Sequence, residues 1–480
     1  MCMGESGGGD TDGRHHQQGQ IKQTCDDQDF SCKEESEFQF TPTPLNNPVT
    51  VACIIESPAL RSNELQLCME VCKLPDMGNE WDVLIVGGGV AGCAAGVWLA
   101  KAGMKVLILE KGSHPRHHIG ESLLPASMPI LADLGISMDA MLNRYQPKYG
   151  ARFCDSATQR YETFGFAGAD QTPPSFQVSR AEFDAELKSL AVSAGCRYQD
   201  HCQVVSWKAQ ADHAEVFTAQ QQIHSGRFLI IAAGRSRLNY RGADGVSDAR
   251  DISNRFGHLA VYNYFPPFPP ALDDERSYIT LHLISDGWIW CIPLRDGSTS
   301  IGAVLKQSGV QQGITHQEQF EQALQRCPSL WNRLSNVAPL DEYRTAADYS
   351  YRPATRYGPG WVKIGDAGGF LDPIFSSGVH LAINSAQLAS QAVIQYLNHN
   401  DPSQFETFNR HMDWAEGVFE AFIERFYHRD LVQQLFFADY RPAHMKAAIT
   451  DLLAGRVWDP ENPVIAMLAP KSAVSQEMKF

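Results

Sequence analysis

The chain has 480 residues, 44% hydrophobic and 20% charged, with 40 basic against 55 acidic side chains and a formal net charge of −15. This length implies more than one structural unit, and the hydrophobic share is enough to fill a sizeable core. The acidic balance excludes a general basic surface for nucleic acid. No run of about 20 apolar residues is present to span a bilayer. The start, Met1-Cys2-Met3-Gly4-Glu5, lacks the basic and apolar regions of a secretory signal, so a cytoplasmic location is expected.

Residues 1–76 hold 13 of the acidic and 5 of the basic residues, and six of the 12 cysteines. Up to residue 50 this stretch is rich in Gly, Gln, Asp and Thr without a sustained period, which reads as a disordered tail. Leu65–Val71 is expected to form at most a short helix, and the working protein to begin near Met77. The other six cysteines (Cys93, Cys154, Cys196, Cys202, Cys291 and Cys327) form no CxxC pair. They predict buried thiols in a reducing compartment, with neither a disulfide framework nor a metal site.

Asp82–Val86 is a continuous apolar run, the pattern of a strand buried on both faces of a parallel sheet. It leads into Gly87-Gly88-Gly89-Val90-Ala91-Gly92. Gly87, Gly89 and Gly92 make GxGxxG, which serves a tight turn, close backbone approach to a pyrophosphate, and helix-on-strand packing. The segment Cys93–Ala102 then predicts a helix whose positive end faces the phosphates. A second strand, Lys105–Leu109, ends at Glu110, placed to accept hydrogen bonds from ribose hydroxyls.

Three later segments resemble parts of two-part FAD folds. Trp361–Ala367 is a short strand ending in Gly365-Asp366, and the Asp in such folds bonds the ribityl chain. Phe228–Gly234 resembles their strand-plus-Gly motif, with Ala233 where Asp is common. Gln177–Arg180 opens a predicted helix with Phe183, Leu187, Leu190 and Ala191 on one face. Arg180 at that helix start matches a residue that helps to hold the flavin.

Four further segments resemble the flavin-dependent halogenases. His118–Pro125 contains GES-x-x-P with Glu121, and Gly287–Pro293 contains WxWxIP. Phe370–Gly378 matches FxxPxxSxG, and Gln146–Gly150 matches the segment carrying that family's active-site lysine, here Lys148. The resemblance runs from about residue 80 to 450. It implies an α/β fold of Rossmann-like FAD-binding type over residues 77–400. An antiparallel substrate-side sheet is interleaved at about 250–345, and a helical region follows at 401–480, with helices at Phe405–Phe426 and Ala443–Leu453.

The resemblance also implies roles. FAD is held by Gly87, Gly88, Gly89, Ala91, Gly92, Glu110, Glu121, Arg180, Asp366 and Val379. Halide, chloride or bromide, binds at Ser377 and Gly378, at the start of a helix predicted over Val379–Leu397; simple N-capping by Ser377 is the plainer role for that serine. Trp288 and Trp290 alternate with Cys291 and Ile289, so they share a strand face and form a wall beside the flavin. Hypohalous acid made there from O2 and halide passes to Lys148, whose aromatic neighbours lower its pKa by desolvation. Only one phosphate loop is evident, so FADH2 is expected from a separate flavin reductase. Phe375 stands where halogenases of free tryptophan have a glutamate. The expected substrate is therefore an electron-rich phenol or pyrrole, free or tethered to a carrier protein. The competing reading is an NAD(P)H-dependent FAD aromatic hydroxylase on the same fold.

Overall fold

In the computed structural model, residues 80–166, 175–241, 250–251, 258–347, 350–428, 432 and 436–468 are described. The expectations for residues 1–76 lie outside these. Two sheets carry the site. In the first, the strands Trp81–Val86, Val106–Leu109 and Arg197–Gln199 run parallel on one side. On the other side, Ile223–Ile231 pairs parallel with Trp81–Val86, and Trp361–Lys363 pairs parallel with Ile223–Ile231. An antiparallel extension, Val204–Gln210 and His213–Thr218, continues from Ile223–Ile231. Val83, Leu84, Ile85, Phe228, Leu229 and Ile230 are fully buried, as continuous apolar strands covered on both faces must be. Three strands read from sequence as cofactor motifs are thus neighbours.

The second sheet has the order Arg344–Ala347, Leu259–Phe265, Thr299–Leu305, Gly287–Pro293, Tyr278–Ile284, Gly150–Asp155, Arg160–Gly165. It reaches well before the expected residue 250, and it is not wholly antiparallel. Gly150–Asp155 pairs parallel with Tyr278–Ile284. Gly150 permits close approach of the antiparallel neighbour Arg160–Gly165, since a Cβ there would lie 2.3 Å from the Phe164 carbonyl oxygen. Along Gly287–Pro293 the two faces separate as their alternation dictates: Trp288, Trp290 and Ile292 join the main core, Ile289 and Cys291 a second cluster under the helix His316–Gln325.

The helices Val90–Lys101, Arg180–Ser193 and Ser377–His399 supply apolar faces to the main core. In Arg180–Ser193 the buried residues include Phe183, Leu187 and Ala191, and Gly195 follows at φ +108°. Ser377–His399 buries Ile383, Ala386 and Val393 and starts two residues before the expected Val379. Ser403–Tyr427 and Ala443–Leu453 form where helices were read, and both bury one face. All six described cysteines are free and buried. Among the described residues no helix is long and apolar enough to cross a membrane.

Candidate active site

Gly87 leaves its strand at φ +104°, and a Cβ on it would lie 2.2 Å from the Ala232 carbonyl oxygen. A Cβ on Gly92 would lie 1.9 Å from the Gly87 carbonyl oxygen. Gly89 differs: the nearest atom to a Cβ there is in the Arg116 guanidinium, 3.7 Å away. The first and third glycines therefore serve close packing, while the second exposes backbone. The helix Val90–Lys101 has no side-chain cap at Gly89, so its first amides remain donors at the positive dipole end. Glu110 is buried and accepts the Gly88 N–H at 2.8 Å and the Gly112 N–H at 3.0 Å. Gly365 (φ +57°) approaches this loop closely enough that a Cβ on it would lie 2.9 Å from the Ala91 Cβ. Asp366 follows, its carbonyl accepting the Tyr351 hydroxyl at 2.6 Å. The open amide cradle, the carboxylate and the Gly-Asp turn fit an FAD.

Sequence reasoning missed three contributors to this loop. The Gly88 carbonyl bonds His114 Nε2 at 2.9 Å and accepts the Tyr198 hydroxyl at 3.2 Å. Arg116 lies beside Gly89 and 3.7 Å from Glu110. The basic run His114–His118 between the second strand and Glu121 was the available signal.

Arg180 is neither a surface residue nor uncommitted. It is buried and forms a bidentate pair with Asp184 at 2.8 and 3.0 Å. It also donates to the Ile119 carbonyl at 2.8 Å, so it fixes the backbone just ahead of Glu121. Glu121 is buried and takes the Tyr264 hydroxyl at 2.5 Å on Oε1. Its Oε2 has no hydrogen-bond partner among the described residues. Burial pushes its pKa up to about 6, against the pull of the Tyr264 and Ser300 hydroxyls and Arg180. An orphaned buried carboxylate oxygen is what a bound cofactor or water completes.

Trp288 and Trp290 are buried, with ring centroids 5.9 Å apart and planes tilted by 50°. Trp290 donates to Ser300 Oγ at 3.2 Å, and its ring lies 5.9 Å from that of Tyr262. Lys148 sits in a short strand, Gln146–Lys148, paired antiparallel with Ser175–Gln177. Its side chain is buried, and Nζ donates to the Leu123 carbonyl at 2.9 Å. The Phe166 ring centroid is 5.2 Å away. Desolvation lowers the lysine pKa from 10.5 to about 7. Among the described residues Lys148 makes no hydrogen bond and no cation–π contact with either tryptophan. Trp290 is tied to Ser300 and Lys148 to the Leu123 carbonyl.

The helix Ser377–His399 starts from Ser376 at φ +57°, with no side-chain cap. Ser377 is its first residue rather than its cap, so the N-capping role is not seen. A Cβ on Gly378 would meet nothing within 4 Å, leaving open space beside uncapped amides. Val379 is buried. Phe375 is stacked on Phe422 with centroids 4.2 Å apart, in place of any carboxylate. Among the described residues no group of three or more His, Cys, Asp or Glu is arranged to hold a metal.

The family profile described as Tryptophan halogenase matches residues 82–173 and 166–455. The chain belongs to this family of flavin-dependent halogenases. It is 29% identical over 411 residues to a 1H-pyrrole-2-carbonyl-[peptidyl-carrier protein] chlorinase of Pseudomonas fluorescens, covering 79% of this chain and 90% of the relative. It is 33% identical over 321 residues to a tryptophan 2-halogenase of Chondromyces crocatus, covering 65% of this chain and 60% of that protein. The solved structure of the flavin-dependent brominase Bmp2 superposes with a TM-score of 0.71 at 25% identity, covering 81% of this chain and 97% of the other. The halogenase is accordingly a flavoprotein enzyme, and the family implies FAD and halide. Membership weighs against the aromatic-hydroxylase alternative.

Proposed function

We propose that this halogenase chlorinates an electron-rich ring, a pyrrole or phenol presented on a carrier protein, using Lys148 to handle the halogen. FAD, held by the Gly87–Gly92 loop, Glu110, Glu121, Arg180, Asp366 and Val379, and delivered reduced by a separate flavin reductase, supplies hypohalous acid from O2 and chloride when bound. Ser377 and Gly378 hold the halide at uncapped helix amides, where a bound anion satisfies donors that nothing else takes. Trp288 and Trp290 bar the organic substrate from the flavin and leave room for a small oxidant.

The observation that carries this reading is the state of Lys148. An exposed lysine is protonated at neutral pH and neither accepts a hydrogen bond nor attacks. With its pKa near 7, about half of the Lys148 population is a free amine at neutral pH. The neutral amine takes the halogen from the acid with release of water, and the N-halogenated amine gives it to the ring and recovers the ring proton. The Leu123 carbonyl directs the amine in both forms.

Substrate class rests on Phe375. A ring without a nearby carboxylate must bring its own electron density, as pyrroles and phenols do. The pyrrole-carrier relative supports the tethered form. The test is a competition assay with a flavin reductase, chloride, pyrrole-2-carbonyl carrier thioester, free phenols and free tryptophan. The thioester should turn over fastest. Turnover of free tryptophan as fast as that of the best pyrrole or phenol refutes the substrate class.

A further inference from the structure

One buried network joins two of the motifs through a residue that belongs to neither, Tyr427. Trp288 Nε1 donates to the Tyr427 hydroxyl at 2.9 Å. That hydroxyl donates to Asp372 Oδ2 at 3.0 Å. His258 Nδ1 lies 3.1 Å from the same oxygen. Asp372 Oδ1 accepts the Ile374 N–H at 3.1 Å, and the Asp372 N–H donates to Ser350 Oγ at 2.9 Å. Asp372, His258 and Trp288 are buried. Tyr427 is the last residue of Ser403–Tyr427, and Asp372 starts the turn that ends at Ser377 and Gly378.

The chemistry of the link is specific. An indole N–H only donates and Asp372 Oδ2 accepts here, so a group joining them must accept and donate at one atom. A phenol hydroxyl does this. Tyr427 also lines a pocket whose other walls include Asp155, Leu283, Gly287, Lys306 and Phe426. Leu283 is the cross-strand partner of Trp288. The outer end of the tryptophan wall therefore borders this pocket.

We propose that Tyr427 is a positioning residue: it fastens Trp288 to the halide-loop aspartate and so closes the wall at the end facing the pocket. The inference rests on the reading of Trp288 and Trp290 as a wall. With the bond intact, oxidant made on the flavin side stays on the path to Lys148. With it broken, the Trp288 ring swings and oxidant escapes through the pocket.

The experiment compares the full-length protein with Tyr427→Phe, Trp288→Phe and Trp288→Ala. Each is supplied with FADH2, O2 and chloride, and monochlorodimedone in solution traps escaping hypochlorous acid. Tyr427→Phe and Trp288→Phe break the same bond from opposite sides while keeping a ring. Both should raise trapped acid per FADH2 oxidised about 3- to 10-fold, the range of one buried hydrogen bond, with FAD affinity close to wild type. The melting temperature should stay close to wild type in Tyr427→Phe and fall in Trp288→Phe, whose smaller ring leaves a buried cavity. A second readout needs no turnover. In the FAD-free chain the Trp288 indole N–H, assigned by its loss in Trp288→Phe, should exchange with solvent about 3- to 10-fold faster in Tyr427→Phe. If Trp288→Ala leaks no more than wild type, the wall reading fails. If Trp288→Ala leaks while both ring-preserving variants keep the wild-type ratio, or if indole exchange is unchanged, the role of Tyr427 alone is overturned. Should Tyr427→Phe not fold, Trp288→Phe decides the same question.

Discussion

Burying Lys148 costs stability, and the cost depends on pH in a defined direction. Its pKa falls from 10.5 to about 7 in the folded chain, which at about 1.4 kcal/mol per pH unit disfavours the charged form by ~5 kcal/mol. Between these two pH values the unfolded chain holds a proton that the folded chain has released. Raising the pH through this window therefore stabilises the fold, and below about 7 the full penalty applies. Lys148→Met fills the same volume without the charge but gives up the Leu123 hydrogen bond, worth about 1–1.5 kcal/mol at any pH. At pH 7.5 the remaining penalty is ~4 kcal/mol, so Lys148→Met should be the more stable protein by about 2–3 kcal/mol. At pH 9.5 the penalty has shrunk to ~1.4 kcal/mol, and the two proteins should unfold alike. Urea unfolding of both FAD-free chains at the two pH values measures this, and chlorination by the variant should be lost throughout. A stability difference that does not change with pH, or a variant less stable than wild type at pH 7.5, refutes a deprotonated buried lysine.

Three other outcomes follow from the geometry. Phe375→Glu places a carboxylate against Phe422, 4.2 Å away between centroids, and should destabilise by several kcal/mol, increasingly as the pH rises above about 4.3. It should confer no turnover of free tryptophan; a stable, tryptophan-active variant refutes this. Gly92→Ala should abolish FAD binding and lower the melting temperature, whereas Gly89→Ala should weaken FAD binding at an unchanged melting temperature, because only the former Cβ meets backbone; titration of both variants with FAD measures the difference. Removal of residues 1–76 should leave FAD affinity and melting temperature unaltered, and a drop of more than about 5 °C, roughly 4 kcal/mol for a chain of the remaining size, counts against a dispensable tail.

The phosphate loop was legible in sequence because its main demands are local: Gly87 turns the chain at φ +104°, and Gly92 sits against the Gly87 carbonyl within the same strand–turn–helix unit, although the Ala232 carbonyl that Gly87 also abuts comes from a distant strand. The alternation of Trp288 and Trp290 was legible for the same reason, since a strand's period is local. What escaped notice came from long-range pairing. Gly150–Asp155 joins the second sheet through a parallel partner more than 100 residues away, and no short-range pattern announces that. Arg180 carries a helix-start signal, yet its partners are Asp184 one turn on and the Ile119 carbonyl 61 residues back. Tyr427 lies one residue beyond the helix expected over Phe405–Phe426 and within no motif. Its hydroxyl acquires meaning only where the sheet brings Trp288 and the turn brings Asp372. Ser377 reads as a cap by residue type, but the left-handed Ser376 starts the helix one residue too early for that.

Six phenylalanines drawn from five stretches of chain share one cluster. Phe153 meets Phe164 and Phe436; Phe375 meets Phe422 and Phe426; and Phe422 and Phe426 each meet Phe436. The helices after residue 400 are for this reason not a cover laid over a finished body. During synthesis, a nascent chain that stops short of Phe436 leaves Phe153 and Phe164 facing water, an open apolar face on the substrate sheet. The segment around Phe436 thus closes an apolar face of that sheet, which until then is exposed to aggregation and to chaperones.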